Sequence, residues 1–509
     1  MNSKKVINSS AIQILSFIIG TVVTFFLMPF VIHRLGDYSY GLWVLINTIT
    51  SYFAFSEFGM SSGVQHYLSI WLGKNDPDSC KRIFSNSLFL YFLISIINLV
   101  LVGISLVVIL LLKERLSESY LVAVVMAILG LNLSISFIFH PYTSALAAHI
   151  RFDITAWIGI LRTLLNAALT VIVLRKGFGL IMLALISLLV GLLSNILTLI
   201  MASRTNSNLK FDRKEVNKKD LKSLFKYSGK TFLAQLADIL RFRVDEVVTG
   251  SFISVSMVTN YSIAQKLVQL PNSLFSRLIG ILNPLFTQYV GRQDLKKLDK
   301  SFLFSFKIAA IIASFIYACS LILGKTFISL WVGPNYQNAF IPLVILGGAH
   351  FIGMAQSPCI EIFYATNKHQ YFAYQSIFEG VVNLGLSILF VTKFGMGING
   401  VALGTLIPIL FTKLFIQPFL ITSLIDLKVK DFYFLLLYIV TSGGMTYGLF
   451  YLLYRNFNIN SYLYLLFNLI LLLCLFLAHA AVVLEGDERE LVMQYVRQYV
   501  NRAALARQA

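Results

Sequence analysis

Residues 99–112 read LVLVGISLVVILLL, and residues 462–484 read YLYLLFNLILLLCLFLAHAAVVL. A transmembrane β-strand alternates apolar and polar side chains. These runs do not alternate, so they are helices. A helix that crosses a bilayer needs about 20 apolar residues. Working outward from these two runs, comparable stretches recur along the whole chain. They lie near 11–33, 41–71, 85–112, 120–140, 155–174, 179–203, 229–250, 257–289, 302–323, 341–363, 371–392, 398–421, 432–453 and 462–484. Of the 509 residues, 57% are hydrophobic and 13% charged. That charged share is roughly half the ~25% of soluble domains, which excludes an ordinary cytosolic enzyme. The hydrophobicity excludes a disordered chain. The expected fold is therefore an all-α polytopic membrane protein of about fourteen spans. The second and eighth spans are long enough to be bent, tilted or extended beyond the membrane.

Motifs for familiar chemistry are missing. Cys80, Cys319, Cys359 and Cys474 have neither metal-ligand nor redox spacing. The histidines form no HExxH, and there is no Walker loop, no GxGxxG after a strand and no GxSxG. The run from Ala11 to Ile32 is too long for a signal peptide and has no A-x-A site, so it reads as a retained first span.

The charge distribution sets orientation. With the N-terminus inside, 26 of the 41 Lys and Arg residues fall in inner segments, counting Lys230 with the connection before the seventh span. Eight fall in outer loops and seven within spans. The positive-inside rule then places both termini in the cytoplasm. The net charge of +18 is a topology signal concentrated in residues 210–230, in preference to a nucleic-acid patch. Beyond Asp487, the stripe Leu491, Val492, Tyr495, Val496, Tyr499 and Ala503 fits a surface helix or a solvated tail.

The chain also repeats. A shift of 217 residues lays Pro141 on Pro358, Arg151 on Lys368 and Asn166 on Asn383; one further residue lays Gly177 and Gly179 on Gly395 and Gly397. The expected organisation is a six-helix half over 1–203, a basic linker over 204–228, and a second six-helix half over 229–421. Spans 13 and 14 lie within 422–484, and a tail covers 485–509. Even-numbered halves share one orientation, so an axis along the membrane normal should relate them, with substrate held between.

Charged groups inside spans are costly and usually face a cavity or a partner. Lys307 and Lys413 sit towards span ends and read as snorkelling residues. Three polar faces read as cavity lining, with helix packing as the alternative. Thr155, Gly159, Arg162, Asn166 and Thr170 mark the fifth span; Lys266, Gln269, Ser273, Arg277 and Gly280 the eighth; Gln375, Glu379, Asn383 and Ser387 the eleventh. The repeat sets Arg162 on Glu379, a charge pair or two separate sites. The seventh span holds Asp238, Arg241, Arg243, Asp245 and Glu246. There Arg241 should pair with Asp245 and Arg243 with Glu246, and the acids are candidates for coupling to an ion. Glu57 and His66 in the second span are further candidates.

Leu35-Gly36, Tyr40-Gly41-Leu42-Trp43 and Glu57-Phe58-Gly59 resemble the corresponding stretches of Wzx-type polysaccharide flippases, where Asp often replaces this Glu. The Gly-x-Gly turns, the fourteen spans and the 6+6+2 organisation are similar too. That family belongs to the multidrug/oligosaccharidyl-lipid/polysaccharide exporter superfamily. The resemblance implies translocation of an undecaprenyl-diphosphate-linked oligosaccharide, such as an O-antigen repeat unit, across a bacterial inner membrane. It implies a transporter and not an enzyme. No cofactor is expected, only H+ or Na+ if transport is ion-coupled. Implied partners are the lipid-linked glycan, membrane lipids, and a glycan polymerase and chain-length regulator of the same pathway; no nucleic acid is expected.

The residues agree in chemistry. A diphosphate head needs cationic, wet surroundings, and the guanidinium fork matches phosphate oxygens. Arg162, Arg241, Arg243, Lys266 and Arg277, with Asn166 and Gln269, are the candidate binding residues. Asp238, Asp245, Glu246, Glu379 and Glu57 are the candidate coupling or charge-pair residues. A drug/cation antiporter would not need a cationic cavity. A polymerase or ligase would hold acids or His in a large outer loop, whereas residues 324–340 contain one Lys and neither. A membrane scaffold would not need charged faces on four spans.

Overall fold

A computed structural model describes residues 3–111, 118–206, 210–454 and 461–490, with the side chains of 3–8, 10, 230, 231, 233–242, 449, 453 and 454 left aside. Among the described residues the fold is all-helical. It divides into two compact units, 1–259 and 260–509.

Unit 1 contains α1 (Ser3–Leu35), α2 (Asp37–Phe53), α3 (Met60–Gly73), α4 (Pro77–Leu111), α5 (Ser119–Ala148), α6 (Phe152–Arg175), α7 (Leu180–Thr205), α8 (Lys218–Phe242) and α9 (Val244–Phe252). Helix α10 (Val255–Ile279) begins at its end and runs into unit 2. There follow α11 (Leu282–Gly291), α12 (Leu295–Trp331), α13 (Phe340–Ala355), α14 (Ser357–Ala365), α15 (Gln370–Thr392), α16 (Gly397–Phe411), α17 (Gln417–Thr422), α18 (Val429–Tyr454) and α19 (Tyr462–Val483).

Eleven described helical segments are long and apolar enough to cross a bilayer. The three expected spans outside that set are the second, seventh and eighth. Each is broken into shorter helices: α2 and α3 around Phe58-Gly59, α8 and α9 at Arg243, α10 and α11 at Gly280. These are the spans with the most polar sequences. A break inside a membrane is tolerated where protein or water meets the freed backbone groups.

The repeat is written in the turns. Ile150 and Asn367, 217 residues apart, both take left-handed φ, 56° and 58°. After each, an amide reaches back five residues: Arg151 N to Leu146 O (2.9 Å) and Lys368 N to Phe363 O (2.7 Å). This is the Schellman closure of a helix C-terminus. A second pair lies 218 apart, Asn75 at 52° and Gln293 at 55°. Its closures are Asp76 N to Trp71 O and Asp294 N to Tyr289 O, both 3.1 Å. Asp76 and Asp294 then cap the next helix, accepting from Ser79 N (3.0 Å) and Lys297 N (3.2 Å). Gly177 and Gly395, again 218 apart, supply the left-handed residue after α6 and α15.

Each unit has its own core. Phe84, Tyr91 and Phe137 are buried in unit 1; Phe286, Phe302, Phe306 and Phe363 are buried in unit 2. The linker is also ordered in part. Asp212 pairs with Lys81 (2.7 Å) and Asp220 with Arg82 (2.8 Å), tying it to the start of α4. The tail stripe from Leu491 onward lies outside the described residues.

Candidate functional site

In unit 1 the break in the second span builds a carboxylate site. Helix α2 ends at Phe53, a 3-10 turn covers Ala54–Glu57, and Phe58 and Gly59 both take left-handed φ, 51° and 68°. Helix α3 then starts afresh, so its first amides have no partner within the helix. Ser61 N donates one of them to Glu57 Oε1 at 3.2 Å. The Tyr91 hydroxyl on α4 donates to the same oxygen at 2.6 Å. His140 Nδ1 on α5 lies 3.3 Å away, and its ring packs against Tyr91. The Glu57 side chain keeps 14% of its exposure, and His140 33%. Three helices therefore converge on one acid. A carboxylate and an imidazole in contact can share or pass a proton.

In unit 2 a second acid is held differently. Glu379 on α15 is 1% exposed. The Thr412 hydroxyl donates to its Oε1, and Lys413 Nζ lies 4.0 Å from that oxygen. Lys413 also donates to Gln417 Oε1 at 2.6 Å. Gln356 Nε2 donates to the Lys413 carbonyl at 2.9 Å. Thr412–Ile416 form a π-helical turn, an irregularity that places Thr412 and Lys413 together towards α15.

This corrects two expectations. Lys413 does not snorkel: its side chain is 2% exposed, and its charge is met inside the unit. Lys307 does not snorkel freely either, since it pairs with Glu485 (2.7 Å) and Glu488 (3.0 Å). Within unit 2, Glu379 thus has Lys413 as an ion-pair partner. The eleventh-span face packs between helices, with Gln375, Asn383 and Ser387 all buried. A Cβ at Gly404 on α16 would collide with Ser387. That close approach is how small residues let membrane helices pack.

The seventh-span cluster is also rearranged. Arg243 sits at the break between α8 and α9, exposed, and its carbonyl accepts from the Tyr52 hydroxyl (2.7 Å). Asp245 and Glu246 are buried in the first turn of α9, where a helix N-terminus favours negative charge. The expected one-turn Arg243–Glu246 pair is not formed, because the helix does not run through Arg243. Asp238 and Arg241 have side chains outside the described ones.

The remaining basic candidates stay accessible. Arg162 is exposed near the middle of α6, and no carboxylate among the described residues pairs with it. One turn on, Asn166 Oδ1 accepts from Thr170 at 3.5 Å. Lys266 and Gln269 on α10 are half-buried, and Arg277 on the same helix is exposed.

Tyr91 and His140 carried no signal in the sequence. They lie 34 and 83 positions from Glu57, so no local spacing connects them. The Glu57-Phe58-Gly59 motif was the legible part.

A family profile described as "Polysaccharide biosynthesis protein" matches residues 34–341, more than half of the chain. The chain belongs to this polysaccharide biosynthesis family. A curated relative, the uncharacterized membrane protein EpsK of Bacillus subtilis (strain 168), is 21% identical over 433 residues, 84% of each chain. Among solved structures, the lipid II flippase MurJ in an inward closed conformation superposes with TM-score 0.69 at 16% identity, covering 96% of this chain and 100% of that one. An inward-facing multidrug resistance MATE family transporter of the MOP superfamily gives TM-score 0.67 at 14% identity, covering 82% and 98%. At such identities the structures establish the fold. The Wzx-type resemblance read from the second span agrees with this family and with this fold. The chain is a multi-pass membrane protein, and its fold is the one seen in those flippase and transporter structures.

Proposed function

We propose that this protein moves an undecaprenyl-diphosphate-linked oligosaccharide from the inner to the outer leaflet of a bacterial inner membrane, by alternating access, with both termini cytoplasmic. The observation that carries the reading is the basic residue within an apolar helix, Arg162 on α6, exposed and without an ion pair among the described residues. A lone guanidinium at membrane depth costs about 2.5–3.5 kcal/mol on insertion scales, so it calls for water or an anionic ligand. Lys266 and Arg277, eleven residues apart on α10, lie about 16 Å apart along the helix at 1.5 Å per residue. That span suits an extended diphosphate–glycan head. Membership of a polysaccharide family supports the substrate class. The lipid tail stays in the bilayer while the head crosses.

Glu57 is the coupling group in this reading. Its carboxylate is partly accessible and shares a hydrogen-bonded cluster with His140 beside a helix break. A polymerase and a chain-length regulator would consume the translocated product.

The test is reconstitution in vesicles with a lipid-linked diphosphate oligosaccharide labelled in one leaflet. Protein-dependent appearance of the label in the other leaflet, unaffected by excess organic cation, supports the reading. Transport of organic cations without movement of the glycan lipid would replace it with a drug/cation antiporter. Glycan movement unchanged after collapse of imposed pH and Na+ gradients would remove Glu57 from coupling.

A further inference from the structure

The basic connection before the seventh span is built as a surface, and its charge balance shows what it faces. Between residues 210 and 228 it carries three acids, Asp212, Glu215 and Asp220. Two of them are committed to α4, Asp212 to Lys81 at 2.7 Å and Asp220 to Arg82 at 2.8 Å. Backbone contacts fix the same segment. Asn86 on α4 donates to the Glu215 carbonyl and accepts from Asn217 N, both at 2.9 Å. Ser85 Oγ accepts from Asp212 N at 3.1 Å.

These contacts also set the depth. Lys81 and Arg82 precede Ser85, the start of the expected third span, by four and three residues. That places them about 4.5–6 Å outside the expected span, at 1.5 Å per residue. The headgroup layer on each side of a bilayer is about 5–8 Å thick. Asp220, bonded to Arg82, is therefore held at headgroup level, and the first turns of α8 with it.

At that level α8 is two-faced. Leu224 and Ser228 are fully buried, and Ser228 meets Gly63 on α3. Lys218, Lys219, Lys222 and Lys226 are exposed, with Phe225 (48% exposed) among them. No carboxylate among the described residues pairs with any of these four lysines. Internal acids have thus been drawn to α4, leaving an uncompensated cationic face beside the membrane.

We propose that this face binds anionic phospholipid headgroups of the inner leaflet, so that the connection is a lipid-contacting platform and not a free cytoplasmic loop. Four lysines immediately outside a span are the pattern that anionic leaflets attract. An exposed Phe among them adds an interfacial anchor. The inference rests on the membrane fold and on the cytoplasmic placement of this connection, and is independent of the substrate carried.

The experiment is hydrogen exchange of residues 210–229 in the full-length chain, reconstituted in phosphatidylcholine vesicles with and without phosphatidylglycerol. Phosphatidylglycerol should slow exchange several-fold, and high salt should reverse it, since exposed charges are screened within about a Debye length. The K218Q/K219Q/K222Q/K226Q variant should lose the slowing while α12 exchanges as before. The corresponding four-arginine variant should retain it, because charge and not lysine chemistry is recognised. Exchange indifferent to phosphatidylglycerol would overturn the proposal, as would equal slowing in the glutamine variant. Slowing by soluble pyrophosphate over pure phosphatidylcholine, but not by phosphatidylglycerol, would mark a free-phosphate site instead. None of these readings uses transport, so failure of the glycan assignment leaves them untouched.

Discussion

Glu57 and Glu379 are both acids inside apolar units, and they are held in opposite ways. Glu57 lies at a broken helix and takes its hydrogen bonds from Tyr91, His140 and the Ser61 amide. Glu379 is buried, with Thr412 and the Lys413 ammonium against it. The repeat sharpens the contrast. The position 218 residues after Glu57 is Phe275, a buried core residue, and the position 217 before Glu379 is Arg162, which is exposed. Turns recur between the units, and so does one polar pair, Thr170 to Asn166 and Ser387 to Asn383, but the two acid sites do not. A closed, self-paired acid is suited to holding structure, while a partly open acid with a titratable neighbour is suited to changing charge.

The largest effect expected from that contrast is in unit 2. Lys413→Met strands a buried carboxylate, which typically costs about 3–5 kcal/mol. Thermal unfolding in detergent should show it. The double change Glu379→Leu/Lys413→Met should recover most of the loss, because replacing a whole buried pair with apolar groups is often neutral. A double variant as unstable as the single one would mean that the pair has a role beyond mutual neutralisation.

Tyr91→Phe removes one hydrogen bond to the Glu57 carboxylate and should cost about 1.5–3 kcal/mol. Here the open cluster is expected to show more in transport than in yield. If Tyr91→Phe lowered folded protein as much as Lys413→Met, the two acids would not differ in kind. Gly59→Ala probes the break itself. At φ 68° a Cβ costs roughly 1–2 kcal/mol, and unfolding midpoints should fall accordingly. An unchanged midpoint would mean the chain can straighten there without loss.

The smallest effect is electrostatic and lies outside the spans. The hydrogen bond from Lys81 holds the Asp212 carboxyl below its ordinary value of 3.8. A lowered folded-state pKa contributes stability above the unfolded value and loses it as pH falls through the folded one. Docking of the linker on α4 should thus be constant from neutral pH down to about pH 4 and weaken below, read by hydrogen exchange at residues 210–220. Asp212→Asn should remove that acid step and change little else.

The fold was legible because membrane spans are long and their signal is strong. Residues 462–484 could be little else than a spanning helix. The three interrupted spans were harder. Their polar residues were visible, but the breaks at Phe58-Gly59 and Arg243 depend on backbone conformations that no periodicity announces. The repeat was legible at Pro141 and Pro358 and at the Gly-x-Gly turns. It missed Asn75 and Gln293, whose left-handed conformation is shared although the residue types differ. Of the sites, single residues were readable and partnerships were not. Lys413 looked like a span-end lysine because position along a helix says nothing about the neighbour it meets.

The central claim is that exposed basic residues within the spans recognise an anionic lipid-linked head, and one assay tests it most directly. Surface glycan is measured in a flippase-deleted strain complemented with Arg162→Ala or Arg277→Ala, with protein level measured alongside. Losing a charge-assisted hydrogen bond of about 1.5–3 kcal/mol corresponds to tenfold or more in affinity. The account predicts a strong fall in export at unchanged protein level for each variant, and only partial rescue by lysine, which lacks the bidentate fork. Normal export by both alanine variants would contradict it.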